Sequence, residues 1–142
     1  SVRNVLDDFQ RDAYLEKAAP MIKAINDMVE DKSQKTLLLA GVDFSHIGPK
    51  FGHRYQAVDI ERLTREHDQK LLNSIMLVDP FAFWAEVAEV EDQFNVCGFS
   101  SLALMLETLP PCLGQQLAYD IWHEQPTSSA VSFAAAAFYP EG

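Results

Sequence analysis

Apolar side chains recur at three- and four-residue steps from Val5 to Met28, through Leu6, Phe9, Tyr14, Leu15, Ala18, Met21, Ile22 and Ile25. That period puts one apolar stripe on a helix. A break is expected near Pro20, because proline lacks the backbone donor and crowds the preceding turn. Glu30 to Lys35 reads as a polar turn, and Thr36 to Asp43 then runs apolar without alternation, as expected of a central strand covered on both faces. Phe44 to Gln56 carries Gly48, Pro49, Gly52 and two histidines, and reads as a loop leaving the carboxyl end of that strand.

Helical spacing returns from Asp59 to Val78. Asp79-Pro80 ends that helix and offers an N-cap and a first-turn proline to the next, from Phe81 to about Val90. Glu91 to Phe99 is a connection. Ser100 or Ser101 can cap a helix from Leu102 to Leu109, which Pro110-Pro111 closes. Two β-like runs, Leu113 to Ile121 and Ala130 to Phe138, flank a polar turn and are close enough for a hairpin. The order predicts an α/β fold, a mixed sheet with flanking helices, in a single domain spanning residues 1–142. Three strands are few, since sheets usually have about four to six. A strand at 36–43 wants neighbours on both sides.

Charge removes one class of function. Lys and Arg total 11 against 21 Asp and Glu, a net charge of −10, which is a poor basis for a groove that tracks phosphates. At 48% hydrophobic residues the chain can bury a core, yet no apolar run approaches the roughly 20 residues of a membrane span. Cys97 and Cys112 make no disulfide framework, and no stretch shows the basic-then-apolar pattern of a secretory signal, so a cytoplasmic location is expected.

The chemistry concentrates in Gly41 to Gly52. Asp43 closes the apolar run and His46 follows three residues later, so both can converge on a crevice at the strand end. A carboxylate and an imidazole there suit a transition metal or acid–base work; equally, Asp43 can cap a turn with His46 packed on it. Cys97 stands before a helix whose free N–H groups favour a thiolate, or else it is a small buried hydrophobe. His53 could reach the same crevice, while His67 falls on an apolar helical stripe and reads as a core-edge residue. His123 can face either way, and Cys112 reads as core. Phe81, Phe83, Trp84 and Met105 read as core, and the acids at 7–8 and 86–92 as solvated faces. Phosphate-binding glycine loops, Cys-x-x-Cys pairs, a His-Glu-x-x-His helix and a Gly-x-Ser-x-Gly elbow are all missing from the sequence.

Three blocks together, Asp43-Phe-Ser-His46-Ile-Gly-Pro-Lys-Phe-Gly52, Asn95-Val-Cys97-Gly98 and Val131-Ser-Phe-Ala-Ala-Ala-Ala-Phe-Tyr139, resemble the C-terminal half of the Memo family. Bacterial and archaeal members of that family are called AmmeMemoRadiSam system protein B. The resemblance covers Thr36 to Tyr139 well and the first 35 residues loosely. It implies a fold similar to the type III extradiol dioxygenases, with metal ligands at Asp43, His46 and Cys97 and further histidines supplied by the family's N-terminal half. It further implies iron or copper as cofactor, metal-dependent redox or dioxygenase-like activity in the complete protein with His46 as the catalytic group, and a radical-SAM protein as partner. A small molecule or peptide would occupy the crevice. The alternative is a non-catalytic module that grips a peptide or protein there. The family is about twice this length, so the chain is expected to be a C-terminal portion that binds metal weakly or not at all by itself. After Tyr119 the family usually continues with a serine-containing segment, whereas Asp120-Ile-Trp122-His123 follows here. Self-association through the uncovered sheet edge or apolar face is expected.

Overall fold

The computed structural model, which describes residues 10–140, has four α-helices and a three-stranded sheet, with the helix at 57–76 packed against the sheet. The elements are α1 (Arg11–Glu30), β1 (His46–Ile47), α2 (Ala57–Met76), α3 (Pro80–Glu89), α4 (Phe99–Thr108), β2 (Cys112–Glu124) and β3 (Ser129–Pro140). Val5, Leu6, Phe9 and the acidic pair Asp7-Asp8 lie outside the described residues. The α/β class agrees with the sequence reading. Strand directions, expected to be mixed, are antiparallel in both pairings, with the order β1-β3-β2.

The local chemistry explains the helix ends. Asp79 accepts the Ala82 N–H at 3.0 Å and Pro80 opens α3, as the sequence suggested. The Asp59 carboxylate accepts the Gln56 N–H at 3.2 Å at the start of α2. Two expectations fail. Helix α1 runs through Pro20 unbroken; Pro20 and Glu16, whose carbonyl loses its partner, are both exposed, so water can take up the freed group. Helix α4 begins at Phe99 with Gly98 at its N-cap, so neither Ser100 nor Ser101 caps it.

The larger correction concerns Thr36 to Asp43, which is not a strand. Among the described residues no backbone hydrogen bond reaches residues 35–42, and Leu37 and Leu39 are 86% and 87% exposed. Strand identity comes from a partner ladder, and the register of β1 on β3 does not continue back along this stretch. A groove of about 120 Å³ separates Leu38, Ala40 and Val42 from Ala134, Ala136 and Phe138 of β3. Pairing begins only at Phe44, whose N–H donates to the Ser132 carbonyl at 2.9 Å, followed by His46 opposite Val131.

Beneath the sheet lie two apolar clusters. One gathers Leu71 and Leu72 of α2, Phe83 of α3 and Phe99 of α4; the other holds Ile47, Ala57, Phe94, Ile121 and Ala130. Of the aromatic stripe read as core, Phe83 and Trp84 are buried, whereas Phe81 is 70% exposed beneath the Arg11 guanidinium. Phe44 belongs to the first cluster and Ile47 to the second. The two residues between them, Ser45 and His46, are therefore anchored from both sides. Among the described residues no helix is long and apolar enough to cross a membrane.

Candidate metal centre

Asp43, His46 and Cys97 each offer one donor atom, and the three donor atoms lie within 4.8 Å of one another. Two loops create this convergence. The first runs from Asp43 into β1; the second, Asp92 to Gly98, enters α4. A single carbonyl joins them: the Phe44 oxygen accepts the Cys97 backbone N–H at 3.2 Å and also faces His46 Nδ1 at 3.0 Å. A carbonyl can only accept, so Nδ1 carries a proton and, in the neutral ring, Nε2 is the nitrogen with the lone pair. Nε2 is the nitrogen on the side of Asp43, 4.0 Å from Oδ2. This is the arrangement that orients a metal-binding imidazole, one nitrogen held by a backbone carbonyl and the other free. Phe51 braces the ring edge-on, with centroids 5.0 Å apart.

The second loop is fixed as firmly. The Gly98 N–H donates to the Asp43 carbonyl at 3.1 Å, the His46 N–H to the Phe94 carbonyl at 2.8 Å, and the Asn95 amide to the His46 carbonyl at 3.1 Å. A Cβ at Gly98 would sit 2.6 Å from the Asp43 oxygen and 2.6 Å from Val42 Cγ2. The glycine lets the loops close to this distance. Asp92, read as a solvated acid, instead accepts the Val96 N–H at 2.9 Å and shapes the turn. The site opens to solvent: the Asp43 side chain is 55% exposed and Cys97 is exposed, while the His46 side chain is only 16% exposed.

The other histidines lie elsewhere. His53 accepts the Gly48 N–H on Nδ1 at 2.9 Å and faces the Gln93 carbonyl with Nε2 at 2.6 Å, so it fastens the two loops as an Nε2–H tautomer. His123 pairs with Glu61 at 3.3 Å on the far strand. Cys112 is buried, as read from the sequence, and neither cysteine is in a disulfide. Behind the centre is a network that the sequence reading missed. Asp68, fully buried on α2, accepts Ser45 Oγ on one oxygen and Tyr119 Oη on the other, each at 2.6 Å, while Ser132 Oγ accepts the Ser45 N–H at 2.9 Å. Burial, reinforced by Asp68, raises the Tyr119 pKa far above its ordinary value. A signal was present: Asp68 shares the helical stripe of Leu71, Leu72 and Ile75, where a carboxylate is buried only with partners.

His67 is buried against Phe94, rings stacked 4.9 Å apart, and its Nε2 finds no partner among the described residues. Burial holds its pKa below the ordinary value of about 6.5, outweighing the opposing pull of Asp68. The unfolded chain takes up a proton near that pH which the folded state resists. Stability from this residue is therefore complete above pH 6.5 or so and falls as the pH drops below it, by at most about 1.4 kcal/mol per pH unit. Thermal melts between about pH 7.5 and about pH 5.5 are expected to flatten in His67→Phe, which keeps the stacking and removes the titration. An identical pH dependence in the variant would contradict the assignment.

Comparison with known proteins adds a relationship to this geometry. A profile of the family described as Memo-like protein matches residues 12–137. A MEMO1 family protein of Aquifex aeolicus (strain VF5) is 32% identical over 122 residues, covering 81% of this chain and 30% of that protein. The chain thus spans about a third of the length of the curated relative it matches.

Proposed function

Because the chain belongs to the Memo-like protein family, we propose that Asp43, His46 and Cys97 form its share of a metal-dependent redox centre. The observation that carries this reading is the Phe44 carbonyl, which holds both the His46 ring and the Cys97 backbone and leaves His46 Nε2 free beside the other two donors. Carboxylate, imidazole and thiolate together suit iron first and copper second. Asp43 and Cys97 are ligands through oxygen and sulfur, and His46 is a ligand through Nε2 or carries a proton there. Three donors leave coordination positions for ligands from elsewhere in a longer protein and for a small molecule. When bound, the metal supplies one-electron chemistry of a dioxygenase-like or other redox kind. The protein's share is to fix the donors, keep His46 in one tautomer and leave the Asp43 side open.

Titration of this chain with iron(II) or copper(II) tests the assignment. Weak, saturable binding of one ion per chain is expected, with affinity reduced about tenfold or more in both Asp43→Ala and Cys97→Ala. Equal binding in the wild type and both variants would overturn it.

We also propose that the chain self-associates. Its apolar segment at 36–42, which has no backbone hydrogen bond among the described residues, presents backbone groups and two exposed leucines, Leu37 and Leu39, to a second copy. Sedimentation at micromolar concentration is expected to exceed the 16.0 kDa of one chain and to fall toward it in the Leu37→Lys, Leu39→Lys double variant. A monodisperse wild-type monomer would contradict this.

A further inference from the structure

We infer that Asp68 is a positioning residue for the metal centre, acting through Ser45 from the opposite side of the loop; this rests on the metal-centre reading above. Asp68 is completely buried on α2, 22 residues along the chain from His46, and touches none of the three donors' side chains in the hydrogen bonds it makes. Its Oδ1 accepts Ser45 Oγ at 2.6 Å, a length typical of hydroxyl-to-carboxylate bonds. Ser45 is itself fully buried, and its N–H donates to Ser132 Oγ while its carbonyl accepts the Ser132 N–H. Side chain and backbone of this one residue are thus tied to a helix and to β3. Ser45 lies between Phe44, whose carbonyl sets the His46 tautomer, and His46 itself. Rotation of that peptide would carry the carbonyl off both His46 Nδ1 and the Cys97 N–H. The second arm of Asp68, to Tyr119 Oη, holds the carboxylate plane so that Oδ1 faces the loop.

Two readouts test the role, and the first needs no metal. In the wild type, imidazole 15N shifts are expected to show His46 as a single Nδ1–H tautomer. Ser45→Ala, a small change that leaves the Ser45 N–H in place, is expected to give mixed tautomers and a metal affinity about tenfold lower, as is Asp68→Leu. Asp68→Asn, whose Oδ1 still accepts Ser45, should restore the single tautomer and bring affinity within about threefold of wild type. Should Asp68→Leu fail to fold, Ser45→Ala decides alone. A Ser45→Ala protein with an unchanged His46 tautomer and unchanged affinity would overturn the inference. A wild type that takes up no metal would defeat the proposed function instead, while the tautomer measurement would still decide whether Asp68 and Ser45 position the loop.

Discussion

Gly98→Ala is expected to disable the centre and destabilise the fold together. An added Cβ meets the Asp43 carbonyl oxygen and Val42 Cγ2 at 2.6 Å, and the first of these is backbone with no rotamer to change. The contact must be relieved by separating the loops. Separation breaks the Gly98 to Asp43 and Cys97 to Phe44 hydrogen bonds, the two bonds that bring the thiol to the carboxylate and imidazole. Overpacking of this kind costs on the order of 3 kcal/mol. Denaturant unfolding and metal titration on the same sample should both register the loss; a variant that keeps wild-type stability and affinity would show that the close approach is not required.

His46→Ala separates donor from scaffold. Among the described residues the ring's hydrogen bond is to the carbonyl of Phe44, two residues away; the ring also rests on Phe51 and faces Asp43 at 4.0 Å, so its removal leaves the loop-to-loop backbone bonds intact. Stability is expected to fall by only about 1 kcal/mol, the scale of one net hydrogen bond and a modest contact. Metal affinity is expected to fall by roughly a hundredfold, beyond the effect of disturbing an outer partner. His46→Ala should thus unfold near the wild-type denaturant concentration while titrating like a protein without the centre. Wild-type affinity in this variant would remove His46 from the ligand set.

The contrast between these variants bears on how much the sequence could reveal. Asp43 and His46 were readable as neighbours because a turn of three residues separates them, whereas Cys97 stood out only as a thiolate candidate before a helix start, and its place beside them came from the resemblance of the three sequence blocks. The hairpin of β2 and β3 and the Asp79-Pro80 cap were readable because their chemistry is local. Thr36 to Asp43 was misread because a covered strand is defined by neighbours in space. An apolar run looks the same whether a partner ladder lies beside it or, as here, a groove. Pro20 misled for a related reason: its cost depends on whether water reaches the orphaned carbonyl, which is a property of the helix's surroundings. Ser45 stood inside the most informative motif of the chain, yet nothing local told that its hydroxyl would meet a carboxylate 23 residues on. Asp68 alone among the overlooked residues left a trace, as an acid on an apolar stripe.

The central claim is that this stretch of chain supplies a mixed oxygen, nitrogen and sulfur ligand set to one metal ion. X-ray absorption at the metal edge of the iron- or copper-loaded chain tests it most directly, because sulfur scatters differently from oxygen and nitrogen at its longer bond length. The account predicts one sulfur per metal in the wild type, an imidazole signature, and loss of the sulfur in Cys97→Ser. A first shell of oxygen and nitrogen alone, identical in wild type and Cys97→Ser, would contradict it.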